Sequence, residues 1–145
     1  MNEHGQKAMV SQNRNVQYFK EPTYLLPVTY AQAATYLKQM GYEVYWDDGN
    51  AQLKTFDQWF NDLAKESPDV VVLESTTPVM KFYWKTIDRI KHALPNCIVI
   101  MTGYHSMRKP NETMEQCNAD IVLRSSHIDF ALHRLIPFID ENDNW

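Results

Sequence analysis

Glycine is scarce in this chain: four among 145 residues, at positions 5, 41, 49 and 103. Neither G-x-G-x-x-G nor G-x-x-x-x-G-K-[ST] can be written with them, which argues against a glycine-rich phosphate cradle for a dinucleotide or nucleoside triphosphate. Cysteine is scarcer still. Cys97 and Cys117 have neither CxxC spacing nor the density of a disulfide scaffold, so reduced thiols are expected. There is no basic run, and the net charge of −4 gives no electrostatic footprint for nucleic acid. No apolar stretch approaches the ~20 residues of a membrane span. The polar start M-N-E-H-G-Q-K lacks a signal-peptide core. These absences together lead to the expectation of a soluble cytoplasmic protein.

What is present is an ordinary globular balance, 44% hydrophobic and 22% charged, with eight Tyr, six Phe and four Trp. The aromatics fit either core packing or a site for a large flat ligand. The centre of the pattern is Val70 to Met80, V-V-V-L-E-S-T-T-P-V-M. Its β-branched opening predicts a strand buried on both faces, and it turns polar abruptly before a helix begins. Cys97 to Met101 is a second apolar strand, Asp120 to Leu123 a third, and Lys7 to Ser11 and Glu43 to Trp46 weaker ones. Helices are expected around Tyr30–Met40, closed by Gly41, and from Thr55, with Gln58 completing a capping box. Further helices are expected over Val79–Leu94 and Glu112–Cys117, and from Ile128 to Ile139, with Pro137 marking a fraying end. Gln12 to Pro27 reads as a long loop and residues 1–6 as a frayed tail.

Strand and helix alternate five times. That predicts one α/β domain over residues 1–145: a flavodoxin-like, doubly wound five-stranded parallel sheet in a Rossmann-like three-layer sandwich, with strand order 2-1-3-4-5. In such sheets ligands meet the carboxyl ends of the strands. The segments leaving strands one, three, four and five are N-R-N, S-T-T-P, T-G-Y-H-S and R-S-S-H, whereas those entering strands are plain. The polar residues therefore collect on one rim.

A phospho-accepting receiver domain would share this fold. Thr102 suits it, but Ser11 and Gln12 stand where an acidic pair would hold Mg²⁺, Glu74 stands near the phospho-acceptor position, and Arg124 replaces the lysine. Glu74, ending a buried strand, calls for a cationic partner such as Arg14 or Arg124, or for a place in the ligand site. What remains of the receiver reading is a ligand-free pseudo-receiver acting in signalling or protein interaction.

The ordered set Asn13–Thr23 (N-R-N-x-Q-x-F-x-x-P-T), Gly41–Gly49 (G-Y-x-V-x-W-D-D-G), Pro68–Val79, Thr102–Ser106 and Ala119–Phe130 resembles the N-terminal cobalamin-binding domain of cobalamin-dependent radical SAM enzymes. The resemblance runs from Asn13 nearly to the end of the chain. It implies a flavodoxin-like module that binds cobalamin and presents the corrinoid to a radical SAM catalytic domain or subunit. The cofactor-binding residues it implies are Ser75, Thr76, Thr77, Pro78 and Val79 after strand three, Gly103, Tyr104, His105 and Ser106 after strand four, and Ser125 and Ser126 after strand five. The family often has glycines where this chain has Ser125-Ser126, which would narrow the slot for the nucleotide tail. The C-x-x-x-C-x-x-C motif is absent, so no iron–sulfur cluster and no catalysis by this chain alone are expected. None of the five histidines has an aspartate two residues before it. Base-off cobalamin without a protein His ligand, and no metal site made by the protein, is the expectation. Trp46 and Trp84 stay open as residues of a ring-binding face.

Overall fold

The structure is a computed structural model that describes residues 7–10, 16–19, 26–49 and 51–141. It is a mixed α/β chain with five short strands and six α-helices among those residues. By contacts it divides into two compact units, one of residues 1–24 and 49–124, the other of residues 25–48 and 125–145.

The first unit holds the parallel sheet. Strands β3 (Val70–Glu74), β4 (Ile98–Thr102) and β5 (Ile121–Val122) lie side by side in that order, with Val70 opposite Ile98, Glu74 opposite Thr102, and Ile100 opposite Ile121. Alternation along the strands sends Val71, Leu73, Val99, Met101 and Val122 to one face. Helices α2 (Phe56–Glu66) and α3 (Met80–Ala93) bring Trp59, Phe60, Leu63, Tyr83, Ile87 and Ile90 into the same core. Val72, Ile100 and Ile121 point the other way, and Ile100 is fully buried, so β4 is covered on both faces. At roughly 1.5–3 kcal/mol for each large side chain removed from water, Ile87, Ile90, Val99, Ile100 and Met101 are the main stabilising contributors.

The expected capping box closes the start of α2: Thr55 N–H donates to Gln58 Oε1 at 2.8 Å and Gln58 N–H to Thr55 Oγ1 at 3.2 Å. The helix ends where Ser67 turns left-handed (φ 47°) ahead of Pro68, which has no N–H to continue it. On its outer side, the Arg89 guanidinium lies 4.7 Å from both the Phe56 and Phe60 ring centroids. Helix α3 is clamped to the strand entrances. Lys91 Nζ donates to both carboxylate oxygens of Asp120 and to Cys97 O, each at 2.9 Å, while Asp120 Oδ2 accepts Val99 N–H at 2.7 Å. Asp88 accepts both N–H groups of Asn118 alongside.

In the second unit, α1 (Val28–Gln39) packs against α6 (Ile128–Glu141) through Ala33, Leu37, Ile128 and Leu132. Ring contacts join Tyr36 to Phe130 and to His133, and Tyr42 to His133. Gly41, at φ 95°, follows the helix as expected. α6 continues through Pro137, where a fraying end was expected. A proline costs a helix one donor and crowds the preceding turn, but here the later residues still complete the helix.

The sheet departs from expectation in its first half. Strand β1 (Lys7–Val10) forms, but it pairs antiparallel with β2 (Val16–Phe19), Lys7 opposite Phe19 and Val10 opposite Val16. V-Q-Y-F lies inside what reads as a long loop, because its polar neighbours mask a short run of strand formers. Glu43–Trp46 alternates but is not a strand among the described residues. Alternation is a local signal, and a strand exists only with a partner edge. The parallel sheet thus has three described strands where the pattern predicts five. Residues 1–6, Ser11 and Gln12 of the receiver reading, and Asn13, Arg14, Asn15, Pro22 and Thr23 of the resemblance lie outside the described residues.

Candidate functional site

The carboxyl ends of β3 and β4 carry the candidate rim. Ser75 continues the ladder one step beyond β3, its N–H donating to Thr102 O at 3.1 Å. Thr76 is extended and nearly fully buried. A single 3₁₀ turn, Thr77–Val79, follows with Pro78 at its centre and Val79 N–H donating to Thr76 O, and α3 comes at once after it. The proline ring presets φ for that turn. After β4 the expected loop is instead a short helix, α4 (Tyr104–Arg108), followed by α5 (Pro110–Gln116). The turn into α4 is made by Gly103 at φ 96°. A Cβ there would stand 2.9 Å from Ser75 N and closer still to Ser75 O. Gly103 is therefore required by the close approach of β3 to β4, a reason internal to the fold.

That approach laces the two loops together. Ser75 Oγ and Ser106 Oγ share a buried hydrogen bond at 3.2 Å, and His105 Nδ1 meets Thr77 Oγ1 at 3.2 Å. His105, 4% exposed, stands edge-on to Trp84 of α3 with ring centroids 6.3 Å apart. Tyr104 is half-exposed beneath the Arg108 guanidinium. The structure thus brings Ser75, Thr76, Thr77, Gly103, His105 and Ser106 together, with Pro78, Val79 and Tyr104 at their border. Ser125 and Ser126 fall in the second unit. There Ser125 Oγ accepts His127 N–H at 3.1 Å and donates to His127 O, and Ser126 is exposed. Ser125 is spent on the turn into α6.

Four buried polar atoms around the rim have no hydrogen-bond partner among the described residues: Thr76 Oγ1, Thr102 Oγ1, Trp84 Nε1 and His105 Nε2. Strand register puts Thr102 on the face shared with Glu74, and the extended Thr76 continues that face. Trp84 and His105 form the other pair. Buried polar groups are nearly always paired, with protein or with something bound, so these two pairs, one at the ends of β3 and β4 and one on the helices α3 and α4, are the candidate positions for a ligand. Thr102 enters the sequence reading as a receiver feature and as the start of the T-G-Y-H-S segment, but not among the implied cofactor-binding residues. Its signal for this site was its position as the last residue of an apolar strand. Trp84 was legible as an aromatic candidate, but its orphaned N–H becomes visible only once α3 is placed against α4.

The electrostatics are mild. Burial, and then the charge of Glu74, pushes the Tyr83 hydroxyl up to about 12. No group of three or more His, Cys, Asp or Glu among the described residues is arranged to hold a metal ion. A shallow polar groove of about 450 Å³, lined by Gln52, Leu53, Lys54, Gln58, Asn61 and Asp62, lies elsewhere in the first unit. Its groups are engaged locally, Lys54 with Asp62 and Gln58 in the capping box. No helix among the described residues is long and apolar enough to cross a membrane.

Comparison of the chain with family models, with curated proteins and with solved structures finds no match to any of them.

Proposed function

We propose that this chain is a cobalamin-binding module that presents a corrinoid to a radical SAM catalytic domain or subunit and has no catalysis of its own. The observation that carries the reading is the set of orphaned buried atoms: Thr76 Oγ1 and Thr102 Oγ1 at the carboxyl ends of adjacent parallel strands, and Trp84 Nε1 and His105 Nε2 on the helices that follow them. A corrinoid is bordered by hydrogen-bonding groups, and these atoms suit it. On this reading β3-β4-β5 is the 3-4-5 half of a flavodoxin-like sheet of order 2-1-3-4-5. Thr76, Thr77, Thr102, His105 and Trp84 would hold the cofactor, with Tyr104 and Pro78 flanking it. Ser75, Ser106 and Gly103 hold the two loops in place. When bound, cobalamin supplies the organocobalt chemistry and this chain supplies position. No histidine has an aspartate two residues before it, so a base-off corrinoid without a protein His ligand is the expected state.

A second reading has one observation in its favour. The Ser75–Ser106 and Thr77–His105 hydrogen bonds tie the loops over the strand ends, which suits a ligand-free domain of pseudo-receiver type. The two readings part on one experiment: mixing with hydroxocobalamin, desalting, and recording the visible spectrum of the protein fraction. Stoichiometric corrin absorbance, lost in Thr77→Trp, supports the module. A colourless fraction with the hydroxo-, methyl- and adenosyl- forms alike overturns it in favour of the second reading.

A further inference from the structure

The orphaned ring nitrogens of Trp84 and His105 have a chemistry that narrows what they can receive. An indole N–H is a donor and nothing else. An imidazole nitrogen is a donor or an acceptor according to the tautomer, which its other nitrogen's partner sets. His105 Nδ1 is occupied by the Thr77 hydroxyl, a group able to donate. When it donates, Nε2 carries the proton, and the two edge-to-face rings offer two buried N–H groups with no acceptor among the described residues. His105 is fixed there by Gly103 on one side and by its own carbonyl, which accepts Lys109 N–H at 2.8 Å, on the other.

We propose that Trp84 Nε1–H and His105 Nε2–H together seat an oxygen acceptor of the bound ligand, with the Thr77 hydroxyl holding His105 in the donor tautomer. This rests on the cobalamin reading above. A corrinoid has two sources of such an oxygen: the carbonyls of its peripheral carboxamide arms and the phosphate of its nucleotide tail. His105 is thereby a positioning group for the ligand's periphery and not a ligand of cobalt.

The test uses the whole chain labelled with ¹⁵N and titrated with hydroxocobalamin, and separately with dicyanocobinamide, which keeps the carboxamide arms and lacks the phosphate. The Trp84 indole cross-peak is identified by its absence in Trp84→Phe. It is expected to move downfield on binding. A move with both corrinoids assigns the acceptor to a carboxamide, and a move with hydroxocobalamin alone assigns it to the phosphate. Trp84→Phe is expected to weaken retention about tenfold, the loss of one buried hydrogen bond. His105→Asn, which keeps a polar group towards Thr77 but leaves the Nε2 position empty, is expected to do the same. His105→Gln, whose amide N–H reaches the Nε2 position, is expected to bind nearly as the parent does.

Full retention by the parent protein, an unmoved Trp84 cross-peak and unchanged binding by Trp84→Phe and His105→Asn overturn the inference while leaving the cobalamin reading intact. So does histidine nitrogen hyperfine structure in the spin-resonance spectrum of the reduced cobalt form. A parent protein that retains no corrinoid overturns both.

Discussion

Two residues show how backbone and side chain divide the work of the rim. Gly103 sits at φ 96° with its missing Cβ directed at the backbone of Ser75. A methyl group there must push β3 and β4 apart in addition to being strained, so Gly103→Ala is expected to cost about 3 kcal/mol or more. A urea titration reads this as a lower midpoint at unchanged slope. The Ser75–Ser106 pair follows a different rule. Removing one hydroxyl strands the other in a buried place, at about 1–3 kcal/mol, whereas removing both leaves nothing unsatisfied. Ser75→Ala and Ser106→Ala should each destabilise, and the double variant should lose clearly less than their sum. Additive losses in the double-mutant cycle would mean that the two hydroxyls act apart.

Among the elements, α3 is the one that connects both ends of the sheet. Its first turn follows the S-T-T-P segment, and its last turn reaches the strand entrances through Lys91 and Asp120. The pair is more than half buried, and Asp120 also holds the Val99 N–H at the start of β4. Lys91→Met leaves that carboxylate short of its cation, with an expected loss of about 1–3 kcal/mol. Asp120→Asn keeps an oxygen for Val99 and should cost less than Asp120→Ala. Because the pair is shielded, 0.5 M salt should change these differences little. Chemical unfolding of the three variants at low and high salt checks all of this, and equal losses for Asn and Ala would remove the backbone role of Asp120.

For the whole molecule the informative variable is alkaline pH. Burial raises the Cys97 thiol from 9.0 to about 11, against the lowering effect of the Lys91 charge and with smaller raising effects of Asp120 and Asp69. Burial and Glu74 raise Tyr83 from 10.0 to about 12. Both groups are held neutral in the fold and lose their protons first in the unfolded chain. Their contribution is complete below pH 9 and declines as pH rises, from about 9 to 11 for Cys97 and from about 10 to 12 for Tyr83. Melting temperature should therefore fall over this range. Tyr83→Phe should flatten the upper part of the decline while leaving the part belonging to Cys97. A Tyr83→Phe profile that overlays the parent's would exclude the tyrosine as its source.

The sequence by itself determined what local patterns can determine. The α2 capping box, the Gly41 helix end and the runs that became β3, β4 and β5 are legible because each rests on spacing within about a dozen residues, and the collection of S-T-T-P and G-Y-H-S on one rim follows from the alternation of strand and helix. Tertiary structure alone decided the rest. β1 took Val16–Phe19 as its neighbour because strand pairing is a choice of edge, and alternation does not name the edge. Glu43–Trp46 stayed out of the sheet for the same reason. Gly103 was named in the sequence only as an implied cofactor-binding residue, and that its backbone approaches Ser75 depends on β3 lying beside β4. The orphaned Trp84 and His105 nitrogens, 21 residues apart in the chain, become one candidate site only because α3 and α4 bring two rings edge to face.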